Sequence, residues 1–154
     1  MDYIAVKWLH ILSSTLLFGT GIGTAYFMIC AVLTRNAVII AAVGKSVIIA
    51  DWIFTATTIV IQPITGFYLI YLANIPLTHA WVMWSTGLYI LAGGCWIPVV
   101  WLQMKMHRLA VNARDDNTSL PSLFWRYFRA WITLGIPAFI ALIIVFYLMV
   151  AKPM

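Results

Sequence analysis

Four long apolar stretches, separated by short polar breaks, leave this chain few ways to fold. Of its 154 residues, 64% are hydrophobic and 8% are charged, whereas a soluble domain carries roughly 25% charged residues. A water-soluble fold of this composition would lack the polar surface to cover itself, but a lipid bilayer removes that need. One membrane-crossing helix takes about 20 mostly apolar residues, so four of them with connectors use nearly the whole sequence. The expected fold is therefore all-α, an integral membrane bundle of four transmembrane helices in a single domain over residues 1–154.

The hydropathy pattern places the helices at about 3–33, 52–72, 80–106 and 124–151. Residues 37–51 are apolar but contain Lys45 and Asp51, and read as a membrane-proximal lead-in to the second helix. Asn74 and Pro76 break the short connection after that helix, and a polar connector follows the third. The N-terminus does not read as a cleaved signal, because Asp2 stands where positive charge belongs and the apolar stretch is too long.

Charge sets the expected orientation. Arg35, Lys45, Lys105, Arg108, Arg114, Arg126 and Arg129, seven of the nine Lys and Arg residues, fall at one end of the helices. That end is expected to face the cytoplasm, with both termini on the opposite side. The net charge of +5 thus points to a lipid bilayer and not to nucleic acid. Trp8, Trp81 and Trp84 fall at one predicted boundary, and Trp52, Trp125 and Trp131 at the other. Cys30 and Cys95 have no CxxC spacing and give no disulfide framework.

The polar residues are few enough to weigh singly. Lys7, His10, Ser14, Leu17, Gly21 and Thr24 recur at steps of three and four, so they are expected to share one inward face of the first helix. Gly19 and Gly23 have the GxxxG spacing that permits close helix contact. His10 lies within the span, where an imidazole suits haem iron, copper or proton relay, or simply bonds a neighbouring helix. His79 and Met83, at the start of the third helix, are the candidate second ligands. His107 reads as an interfacial residue. Arg126 and Arg129 suit a lipid phosphate, a haem propionate or a quinone headgroup, or plain interfacial anchoring, with Asp51 as a candidate partner. In the second helix, Gln62-Pro63 is expected to kink the span and free a carbonyl. No P-loop, GxSxG, HExxH or dinucleotide motif occurs, and four acidic residues give no paired-carboxylate chemistry, so no catalytic residue is named.

The stretches KWLHILSSTLLFGTGIGTAYFM, ADWIFTATTIVIQPITGFYL, GGCWIPVVWLQMKM and LMVAKP resemble the domain-of-unknown-function 2269 family of predicted integral membrane proteins across essentially the whole chain. That family is bacterial, so the resemblance implies the four-helix fold in a bacterial inner membrane, hence periplasmic termini, and no particular activity. More distantly, Lys7 and His10 in a Lys-x-x-His motif, and the terminal Lys152-Pro153, resemble the HemJ-type protoporphyrinogen oxidases. The chain is also similar to CopD-like copper-resistance membrane proteins. The HemJ likeness implies haem binding through His10. Where that family has His-x-Lys in its third helix, this chain has Met83 and Ser85. The expected function is a small haem-b-binding or redox-associated membrane protein. His10 would be the first axial ligand, His79 or Met83 the second, and Arg126 and Arg129 would hold anionic groups. The alternatives are a non-catalytic subunit of a larger membrane complex or homo-oligomer, and a copper or small-solute permease.

Overall fold

A computed structural model describes residues 2–152. Its four long helices are α1 (Tyr3–Leu33), α2 (Ala37–Leu72), α3 (Ala80–Asp115) and α4 (Ser122–Ala151). Each is long and apolar enough to cross a membrane, and the described residues contain no strand. The turn between α1 and α2 places Arg35 at a φ of 54°, and the Asn36 side chain then accepts from the backbone N–H groups of Val38 and Ile39. This cap begins α2 at Ala37, so the 37–51 lead-in is helical and continuous with the span. The helix changes pitch once, in a π turn over Asp51–Thr55, where the Ala56 N–H reaches back to the Asp51 carbonyl. α3 continues past Met106 to Asp115. Met106, Ala110 and Ala113 carry its buried face onward, while Arg114 and Asp115 pair with each other on the exposed side at 2.8 Å.

All four helices meet at the end of the bundle that holds the basic residues. Met28 and Val32 of α1, Ile40 of α2, Met106 of α3 and Phe124 of α4 are almost fully buried there in one cluster. Gly44 of α2 packs against α3: a Cβ on it would lie 3.5 Å from the His107 ring, in ordinary contact. His107 therefore packs between helices. Towards the terminal end, contacts are strongest between α1 and α2 and between α3 and α4. Phe18 links these two pairs, stacking on Phe139 at 5.1 Å and meeting Phe146 edge-on at 5.3 Å.

Pro63 has no N–H to offer the Ile59 carbonyl one turn earlier, which leaves an acceptor open within an apolar span. The Tyr89 hydroxyl of α3 donates to that carbonyl at 2.8 Å. The kink expected from Gln62-Pro63 thus becomes a tie between α2 and α3. Tyr89→Phe should lower the thermal stability of the detergent-solubilised protein by about 1 kcal/mol. An unchanged melting temperature would show that the tie contributes nothing.

Candidate functional site

Asp51, Thr55, Thr58, Gln62 and Thr65 follow one another along α2 at steps of four and three, and so share a face. All five are buried. Hydrocarbon cannot hydrogen-bond side chains, so this face turns into the bundle. The hydroxyls are anchored locally: Thr58 donates to the Phe54 carbonyl at 2.6 Å and Thr65 to the Ile61 carbonyl at 2.8 Å. Such back-bonding serves acceptors on a helix that a π turn and a proline have both disturbed.

His10 enters this stripe from α1. Its Nδ1 lies 2.8 Å from the Thr65 hydroxyl oxygen. Gly66 makes room for the ring, because a Cβ there would sit 3.2 Å from His10 Cε1. Gln62 completes the arrangement. Hydrogen bonding fixes its amide with the oxygen accepting from the Ser14 N–H at 3.1 Å, and with the nitrogen donating to the His10 carbonyl at 3.2 Å and to His10 Nδ1 at 2.8 Å. Gln62 therefore straps across one turn of the α1 backbone and grips the ring as well. Since Nδ1 accepts from the amide, the proton of the neutral imidazole belongs on Nε2. Nε2 itself has no hydrogen-bond partner among the described residues.

The buried line of α1 runs Val6, Ser13 and Leu17, with the half-buried His10 between them, slightly turned from the expected one. Lys7 is exposed, with its ammonium 6.0 Å from the Tyr3 ring, and Gly21 is exposed as well. A Cβ placed on Gly19 or Gly23 would meet nothing within 4 Å, so their GxxxG spacing makes no close contact among the described residues. Ser13, and not Ser14, lies on the deeply buried line.

The remaining candidates lie apart from His10. His79 is half-buried at the start of α3, where its carbonyl accepts from Val82 and Met83. The Met83 side chain is 61% exposed. No hydrogen bond among the described residues joins either of them to His10. Arg126 and Arg129 are exposed near the start of α4, at the basic end. Asp51 is not ion-paired with them: it accepts from the Thr55 hydroxyl at 2.9 Å and lies beside the Gln103 side chain. No cluster of three or more His, Cys, Asp and Glu side chains forms among the described residues. In the terminal Lys152-Pro153 pair, Lys152 lies over the Trp81 ring at 5.9 Å, and Pro153 is outside the described residues. The sequence contained the signal for the true partners in the three-and-four spacing of the α2 threonines and Gln62. What it lacked was the pairing of that face with His10.

Four apolar spans around a buried polar lining define an integral, multi-pass membrane protein with an intramembrane polar site. The model of one family, described as predicted integral membrane protein (DUF2269), matches residues 4–153, and the chain belongs to that family. No curated protein and no solved structure matches the chain.

Proposed function

We propose that this protein handles protons within the membrane, with His10 as the proton-carrying group near the end of the bundle that holds the termini. One observation supports this reading above the others: the Gln62 amide donates to Nδ1, which leaves the exchangeable proton on an Nε2 that no group among the described residues engages. A fixed ring with one free nitrogen can pass a proton by changing tautomer or charge without moving its backbone. The buried hydroxyls and amide of α2 supply polar groups along the same interior face. By the positive-inside rule the basic end faces the cytoplasm of a bacterial inner membrane, with both termini on the far side. Protein reconstituted into vesicles containing a pH-sensitive dye should dissipate an imposed pH gradient faster than protein-free vesicles do. His10→Ala should return the rate to that of protein-free vesicles. If wild type and His10→Ala leak at the same rate, the proposal fails.

Haem binding through His10 is the second reading, favoured by the same free Nε2. Ligation would require that nitrogen to lose its proton, and so require the Gln62 amide to give up donating to Nδ1. The proposed second ligands fit this role less well, because Met83 is turned outward and His79 caps a helix end. Arg126 and Arg129, exposed at the basic end, suit lipid phosphates better than propionates of a group bound at His10. Purified protein with a Soret band that disappears in His10→Ala would favour haem over proton relay.

A further inference from the structure

The proton-relay reading makes no use of Asp51, which is the most unusual group in the molecule. It lies near the middle of a 36-residue apolar helix and its side chain is 4% exposed. The single ion pair among the described residues is elsewhere, between Arg114 and Asp115. A carboxylate withdrawn from water without a countercharge is strongly unfavourable, so Asp51 has to take up a positive charge from outside the polypeptide.

Three further features converge on it. First, the π turn Asp51–Thr55 starts at this residue, and π turns interrupt the regular carbonyl ladder of a helix. Second, the Thr55 hydroxyl lies 2.9 Å from an Asp51 carboxyl oxygen and is itself buried. Third, the Gln103 side chain of α3 lies beside the carboxyl, is 4% exposed, and has an Oε1 with no hydrogen-bond partner among the described residues. A buried amide oxygen without a partner is unfavourable as it stands. A half-turn of that amide would bring Oε1 to the carboxyl side, where it could accept from a protonated Asp51 or bind a cation. Carboxylate, hydroxyl and amide oxygen form the all-oxygen donor set that hard cations prefer.

The other titratable groups on the packed elements do not supply the missing charge. Lys45 and Cys30 are exposed. Lys105 sits over the Trp101 ring at 5.5 Å, His107 packs against Gly44, and Tyr89 is bonded to the Ile59 carbonyl.

We infer that Asp51, Thr55 and Gln103 form a buried binding site for one monovalent cation, a proton or Na⁺, at the π turn of α2. The site stands independently of His10, which meets α2 at Thr65, about 21 Å further along at 1.5 Å per residue. Asp51 is then either a protonated carboxyl or a carboxylate neutralised by Na⁺, with Thr55 and Gln103 providing oxygens in both cases.

A hydrophobic carbodiimide, which reacts with protonated carboxyls inside membranes, separates the two cations. The full-length protein in detergent micelles is treated in Na⁺ or choline buffers from alkaline to mildly acidic pH, and the modified residue is identified by mass spectrometry. If Na⁺ is bound, Asp51 is modified in choline and Na⁺ slows the reaction several-fold. If a proton is bound, modification accelerates several-fold as pH falls and is indifferent to Na⁺. Thermal stability gives a second readout that does not depend on reagent access: the melting temperature of wild type should respond to the same cation, and that of Asp51→Asn should not. Gln103→Leu should weaken the response several-fold while leaving Asp51 in place. If the melting temperatures of wild type and Asp51→Asn respond identically to Na⁺ and to pH, the site does not exist, whatever the labelling shows. A loss of His10-dependent proton flux alone would leave this site intact, and a silent Asp51 would leave the His10 reading intact.

Discussion

Gln62→Leu will move the His10 proton from Nε2 to Nδ1. In the native arrangement the Gln62 amide nitrogen donates to Nδ1 at 2.8 Å, and Thr65 directs its own hydroxyl proton to the Ile61 carbonyl at 2.8 Å. Once leucine replaces the amide, the nearest polar atom to Nδ1 is the Thr65 oxygen, which can accept. The tautomer with the proton on Nδ1 then becomes the favoured one. The ¹⁵N spectrum of histidine-labelled protein distinguishes the two forms directly. The same substitution removes the strap over the α1 backbone at His10 and Ser14, and should destabilise the bundle by about 1–2 kcal/mol in thermal unfolding. Proton flux in vesicles should fall towards that of His10→Ala, because Nε2 no longer carries the proton. Finding the wild-type proton already on Nδ1 would contradict the assigned geometry and revive His10 as a metal ligand.

Phe124→Ala should cause the largest loss of stability, about 3 kcal/mol. Phe124 is completely buried where all four helices meet, beside the similarly sealed Met106 and Ile40. Lipid outside the bundle is as apolar as its interior, so helices in a membrane gain little from hydrophobic transfer and depend on close packing. Truncating the phenyl ring removes dispersion contacts from several helices at once, and the rigid neighbours cannot collapse to replace them. Val150→Ala provides the contrast: at 85% exposure it should change stability by less than about 0.5 kcal/mol. Unfolding in detergent, followed by tryptophan fluorescence, checks both variants. Comparable melting temperatures for Phe124→Ala and Val150→Ala would mean that the basic-end cluster is not the core of the fold.

These expectations depend on contacts of very different visibility in the sequence. The four spans are legible there because a bilayer admits long apolar helices and little else. The open carbonyl behind Pro63 is legible as well, since it follows from covalent chemistry. Tyr89 as its partner is not, because a tyrosine in an apolar run looks the same wherever it points. The end of α3 lies further along the chain than hydropathy suggests, for a related reason. Arg108, Asn112 and Arg114 make the stretch look like a loop, while Ala110 and Ala113 carry the buried face beneath them.

What the sequence determined by itself was the number of membrane-crossing rods, their polarity of charge, and the presence of a few ionisable groups inside them. Only the tertiary structure decided which polar groups meet: His10 with Gln62 and Thr65, and Asp51 with Thr55 and Gln103. The physical reason lies in the solvent. A helix in water announces its inner face by the contrast between apolar and polar sides, but a helix in lipid is apolar all round, and its inner face is distinguished only by a handful of small and polar residues. His10 could therefore be recognised as a misfit in hydrocarbon from its position in the chain, whereas Asp51 read as part of a membrane-proximal lead-in. Their partners became identifiable only when the packing of α1, α2 and α3 set one helix face against another.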